Sequence, residues 1–295
     1  KWVDIDLNTM LLSVNHLKKL IGKKTKAVVA VHLYGQPANI IDIKKILKKK
    51  RIVLVEDCAQ ALGAKIKNRK VGTFGDFSIF SLHAQKNITT LGEGGILVVN
   101  NKKYQKFIPG LRHNGHRKFS KKKNYWKPAM VDVCQDIKGI TPFNFPMTEV
   151  QAGLGSQLLK RVDKLNSRRI LKAKKFIKSM RNYPFLKFQG NTKLHKSVYH
   201  LLPAWFDKNY TRINKDLFIN EMSKKHKIKI IVQFYPLYKY DFFKKYSNQK
   251  TYLKNTEKIF KNMVSFPFHE WMSDKDFNYM ISSTKKTINK LSKLK

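Results

Sequence analysis

Two apolar runs, KAVVAVHLY at 26–34 and RIVLVED at 51–57, flank a segment, IIDIKKILKKK at 40–50, whose apolar residues recur at helical spacing. Strand, helix and strand in that order make a parallel βαβ unit, because parallel strands cannot be joined by a tight turn and need a crossover. The continuous Val, Ile and Leu match strands buried on both faces, not the alternation of a strand with one wet side. FSIFSL at 77–82 and GILVV at 95–99 add two more strands, so residues 1–100 predict an α/β sheet.

In an open α/β sheet, chemistry gathers beyond the carboxyl ends of the strands, where loops and helix N-termini converge. Asp57 ends the second run, and Ser81 to Lys86 lie just past FSIFSL, so both point to one crevice. An Asp at a strand end also has a plain explanation as a turn or helix-capping residue, and spacing alone does not choose between the two.

The texture changes near 147. MTEVQAGLGSQLLKRVDKLNSRRILKAKKFIKSM is a long amphipathic stretch with apolar residues at 150, 154, 158, 159, 162 and 165, which predicts a connecting helix. After it come a strand at 197–206, a helix at 215–226, a strand at 229–238 and a terminal helix at 276–293, the pattern of a smaller α/β unit. No internal repeat is visible, and the lysine runs at 48–50 and 121–123 read as loop or surface charge.

The formal charge of +42 would ordinarily point to nucleic acid or an anionic membrane. Here the excess is mostly lysine and runs from Lys1 to Lys295, with no recognition module and no cluster of arginines for bidentate base contacts. It reads as a solvated surface with at most salt-sensitive, non-specific affinity for polyanions, so no specific nucleic-acid partner is expected. No apolar stretch is long enough to span a membrane, and the first residues lack the phases of a secretory signal. Cys58 and Cys134 form neither a CxxC pair nor a disulfide framework, which fits a reducing cytoplasm and gives no metal site.

Taken together, EDCAQALGA (56–64), KVGTFGDFSIFS (70–81), HAQK (83–86) and LGEGG (91–95) resemble the sugar aminotransferases of the DegT/DnrJ/EryC1/StrS family, pyridoxal-phosphate enzymes of the aspartate aminotransferase fold. The resemblance begins at VDID (3–6) and TKAVVAVHLYGQPANI (25–40). It continues through LRHNG (111–115) and FNFPMTEVQAGLG (143–155) to FPFHEWMSDKDFNYM (266–280). It implies a three-layer α/β/α large domain with a mostly parallel sheet over 1–150, a connecting helix over 151–183 and a small α/β domain over 184–295.

The resemblance also implies roles. Lys86 takes the place of the Schiff-base lysine, which holds the cofactor and shuttles a proton between two carbons. Asp57 pairs with the pyridine nitrogen and keeps it protonated, so that the ring accepts electrons. Gln60 contacts the ring, and Ser81 donates to the phosphate. Asn144 lies in a segment that reaches the neighbour's site in a homodimer. His83 is a candidate substrate contact, as are Gln233 and Tyr235, whose segment IVQFYPLY (231–238) aligns with one near the sugar.

Two positions depart from the family's pattern: Pro146 stands where it usually has Arg, and Gln233 and Phe234 stand where it often has His and Tyr. VDID also matches a point well inside the family's large domain. The glycine-rich phosphate-binding turn and first helix have no counterpart before Lys1, so the chain is expected to belong to a longer protein. The activity implied is transfer of an amino group, usually from glutamate, to a keto carbon of a nucleotide-linked deoxysugar for glycan synthesis. A dehydratase branch of the family has His in place of the lysine, and Lys86 argues against it. The alternative is a non-catalytic relative that keeps the fold and binds polyanions.

Overall fold

The computed structural model describes residues 1–116, 137, 139–192, 194–246 and 252–293; Cys134 and the lysines at 121–123 lie outside the described residues. The N-terminal sheet has four strands, β1 (Ala27–Val31), β2 (Val53–Asp57), β3 (Phe77–Ser81) and β4 (Gly95–Val99), in the order β1-β2-β3-β4. The first three are parallel, and β4 returns antiparallel to β3. The chain is thus α/β with a mostly parallel sheet, the expected fold class.

Helices α1 (Val14–Leu20) and α2 (Ile40–Lys48) lie against one face of this sheet. Ile40, Ile43 and Leu47 come to one side of α2 by helical spacing and close a core with Val28, Ala30 and Leu54. Among the described residues the helices cover that face only. On the other face Val29, Ile79 and Leu97 remain 45–55% exposed, so the expected burial on both faces holds for one.

Helix α3 (Glu149–Ser179) opens with a reciprocal capping box between Thr148 and Gln151. Its 31 residues reach about 46 Å. Val162 and Leu165 pack with Leu82 and Ile88 beside the first sheet, while Ala173 and Phe176 enter a second core. The buried stripe runs along 162, 165, 169, 173 and 176, whereas Val150 and Leu159 of the expected apolar face are exposed.

That second core surrounds an antiparallel sheet of β5 (Leu186–Phe188), β6 (Leu202–Phe206) and β7 (Met263–Phe266), with β6 in the middle. Helices α4 (Lys215–Lys224) and α6 (Asp274–Ser292) complete it, while Ile259 of α5 (Lys254–Asn262) packs in a separate cluster with Trp205, Met263, Tyr34 and Met10. The strand expected at 229–238 does not form. Only Ile231 pairs, with Ser265, because Pro236 cannot donate to a ladder and a short 3-10 turn follows at Leu237–Lys239.

Candidate active site

Asp57 and Ser81 project from neighbouring strand ends. The register pairs Asp57 with Ile79, and Ser81 lies two residues further along β3, so all three share the open face of the sheet. Asp57 Oδ1 accepts from the N–H of Ala59 at 3.0 Å, and its other oxygen has no hydrogen-bond partner among the described residues. Ser81 Oγ accepts from the N–H of His83 at 3.3 Å.

Past Ser81 the chain makes a tied loop. The N–H of Leu82 donates to the carbonyl of Gly94, that of Ala84 to Gly92, and that of Thr90 back to Leu82. This loop presents Lys86 to a small cavity that Gln60, Leu62, Ser81, Asn87, Ile88 and His200 also line. Among the described residues Lys86 Nζ has neither a hydrogen-bond nor an ion-pair partner. In a chain so rich in surface lysine, that placement sets Lys86 apart.

Gln60 Oε1 accepts from the N–H of Tyr34 at 2.7 Å, and Tyr34 Oη donates to the carbonyl of Gln233 at 2.6 Å. Burial pushes the Tyr34 hydroxyl far above the ordinary phenol range, so it stays a donor. Gln233 therefore reaches Gln60 through Tyr34, and its own Oε1 is buried with no partner among the described residues. The other sequence candidates stand apart. His83 points to Glu93 at 3.6 Å and is 38% exposed. Tyr235 is exposed and packs edge-on against Tyr240 and Phe260. Asn144 is exposed and bridges to His113.

Beneath the strand ends lies a buried knot. Glu56 accepts from His32 Nε2 at 3.1 Å and from the N–H groups of Gly72, Phe74 and Gly75 at 2.6–2.9 Å. Burial alone would raise the Glu56 carboxyl, but its hydrogen bonds to His32, Gly72 and Gly75 outweigh this and lower it. His32 Nδ1 in turn accepts from the N–H of Ala38 at 2.9 Å. Cys58 is close enough to complete a His-Glu-Cys cluster. The His32 and Glu56 atoms are already engaged, and burial with the charges of Glu56 and Asp57 pushes the Cys58 thiol far up, so it stays protonated. The cluster is a clamp for the 72–75 turn and the β2 end.

Sequence reasoning missed His200 and Asn87. His200 belongs to YHLL, read as part of a strand; β6 starts only at Leu202, and residues 197–200 instead pass against Gly35 and bring His200 to the cavity. Gly35 permits that approach. It has φ +92°, and a Cβ there would stand 2.7 Å from the backbone nitrogen of His200.

The model of the DegT/DnrJ/EryC1/StrS aminotransferase family matches residues 1–285, and the chain belongs to that family. It is 32% identical to the uncharacterized protein MJ1066 of Methanocaldococcus jannaschii, over 98% of this chain and 73% of that one. It is 36% identical to GDP-perosamine synthase of Escherichia coli O157:H7, over 57% of this chain and 42% of that enzyme. Among solved structures, Helicobacter pylori PseC, an aminotransferase involved in the biosynthesis of pseudoaminic acid, superposes with a TM-score of 0.86 at 26% identity, covering 98% of this chain and 74% of that one.

Pyridoxal phosphate is the cofactor of this family. The residues present fit such a group: among the described residues an amine without a partner faces a cavity, a carboxylate with one unengaged oxygen shares a sheet face with a hydroxyl, and Thr89 Oγ1 and Gln233 Oε1 are buried polar atoms with no hydrogen-bond partner.

Proposed function

We propose that this protein is a pyridoxal-phosphate aminotransferase that moves an amino group from an amino acid, glutamate by preference, to a keto carbon of a nucleotide-linked deoxysugar in glycan synthesis. The observation that carries the reading is the convergence of Gln60, from the loop after β2, Ser81, the last residue of β3, and Lys86, from the loop after it, on one cavity in which Lys86 Nζ has no partner among the described residues. Family membership and the sugar enzymes among its relatives support the substrate class.

In this reading Lys86 binds the cofactor covalently and, when free, moves a proton at the reacting carbon through Nζ. The bound cofactor supplies an electron sink for that carbon. Asp57 holds a proton on the ring nitrogen with its unengaged oxygen, Gln60 orients the ring, and Ser81 donates to the phosphate. Asn144, exposed here beside the stacked rings of Phe143 and Phe145, completes the site of a partner copy, so the working unit is a homodimer. His83, Gln233 and Tyr235 are the side chains offered to the sugar nucleotide, and the protein works in the cytoplasm. Residues 1–150 act as the cofactor-binding domain, 151–183 as the connecting helix and 184–295 as the small domain; the middle of α3 and its C-terminal part bury into different cores, which supports that division.

The test is covalent. With pyridoxal phosphate and borohydride, peptide mapping should find the cofactor fixed on Lys86. Lys86→Ala should abolish that adduct and cut turnover by about 10³ or more. Asp57→Ala should keep the adduct but slow turnover on the order of 10². A cofactor adduct confined to another lysine would overturn the assignment.

A further inference from the structure

The cavity that holds Lys86 contains a second nitrogen base. His200 is 7% exposed, and its ring orientation is settled by a chain of amides. Asn166 Nδ2 donates to the carbonyl of Leu62 at 2.9 Å, which leaves Asn166 Oδ1 as an acceptor. Asn87 must then meet it with its amide nitrogen, and Asn87 Nδ2 does so at 3.0 Å. Asn87 Oδ1 is thereby turned to His200 Nδ1, also at 3.0 Å. An amide oxygen only accepts, so Nδ1 carries the proton.

The ring is neutral. Burial, and then the charges of Lys86 and Arg169, push the His200 pKa down to about 3. With Nδ1 protonated and the ring uncharged, Nε2 carries a bare lone pair. The backbone beneath the ring is fixed as well. Arg169 donates to the carbonyls of Tyr199 at 3.1 Å and His200 at 2.7 Å, and its guanidinium pairs with Glu270 at 2.5 Å. A side chain held from both ends in a tautomer that free histidine disfavours is an oriented acceptor.

We propose that His200 is a positioning residue for Lys86: its Nε2 is the acceptor that the shared cavity offers to Nζ, although the two are not hydrogen-bonded in this structure. The inference rests on the reading of Lys86 as the cofactor lysine. It gives Lys86 Nζ, which has no partner among the described residues, an acceptor in its own cavity, and it explains why Asn87, the next residue along, spends its oxygen on the imidazole. His200 does not touch the cofactor in this scheme; it acts through Nζ.

The test separates the acceptor from mere packing. In cofactor-free protein with ¹⁵N-labelled histidine, two-bond ¹H–¹⁵N correlation should show His200 protonated on Nδ1, and Lys86→Ala should move the Nε2 resonance without changing the tautomer. The rate at which pyridoxal phosphate is fixed on Lys86 by borohydride should fall about tenfold or more in His200→Phe, which fills the space but accepts nothing. It should fall as far in His200→Asn, whose amide reaches only the Nδ1 position, and recover to within about threefold in His200→Gln, whose amide reaches the Nε2 position. Protonation on Nε2 in the parent protein, or equal trapping rates in His200→Gln and His200→Asn, overturns the proposal while the Lys86 assignment stands. An adduct confined to another lysine in the parent protein removes that assignment, and the proposal with it.

Discussion

Every residue of β6 and β7 is buried, whereas in the N-terminal sheet Val29, Ile79 and Leu97 alternate outward at 45–55% exposure. The C-terminal sheet is packed on both sides by aromatic rings, with Phe176 touching Phe188, Phe266 and Phe277, and it carries none of the groups assigned to catalysis. The N-terminal sheet keeps one face for side chains that must meet a ligand, and Asp57 and Ser81 stand on it. A dry frame gives rigidity, and a half-covered sheet gives reach. Helix α3 joins them, and Arg169 is the joint: it is 5% exposed, paired with Glu270, and bonded to the backbone that carries His200.

The largest effect that tests this division is on the frame. Phe176 is fully buried among three other rings, and truncating it leaves a cavity that the neighbours cannot close. Phe176→Ala should cost about 3–5 kcal/mol in urea unfolding. A loss below about 1 kcal/mol would mean that the C-terminal core is not the rigid half.

The two halves also differ in how far they could be read from the chain. Long apolar runs fix the strands of the first sheet, and β1, β2, β3 and β4 fall within a few residues of the expected 26–34, 51–57, 77–82 and 95–99. That Lys86, Gln60 and Ser81 would lie together was legible because a motif groups them, and the three line one cavity. In the second half, β7 is only MVSF, too short to show alternation and hidden behind the polar helix α5, while IIVQFYPLY looks like a strand and is stopped by Pro236. His200 escaped for a related reason. A histidine among Tyr and Leu reads as core, and only the folded chain reveals that residues 197–200 lie outside the strand and bring His200 to the cavity, in the space that Gly35 leaves.

A middling effect probes the joint through acid. The His200 pKa is pushed down to about 3 in the folded protein, so the folded ring holds no proton where the unfolded ring, near 6.5, takes one up. Its stabilising contribution is therefore whole above about pH 6.5 and drains away as pH falls from 6.5 towards 3. Between pH 7 and pH 5 the parent protein should lose about 2 kcal/mol more than His200→Gln, which cannot titrate. Equal slopes in denaturant titrations at the two pH values would show that the ring is solvated, and that the frame does not grip residues 197–200.

The smallest effect is expected on the open face. Val29 is 55% exposed in the middle of β1, two residues short of the position opposite Asp57. Thr has nearly the shape of Val and an equal liking for strands, and a hydroxyl that stays wet costs little. Val29→Thr should therefore change stability by less than about 0.5 kcal/mol in the isolated chain. The same substitution in a buried strand position, Val264→Thr on β7, should cost about 1–3 kcal/mol, because there the hydroxyl has no water to turn to. The pair of measurements is a direct reading of the contrast between the sheets. A cost at Val29 matching that at Val264 would mean that the open face is covered in solution, and the N-terminal sheet would then be as dry as the C-terminal one.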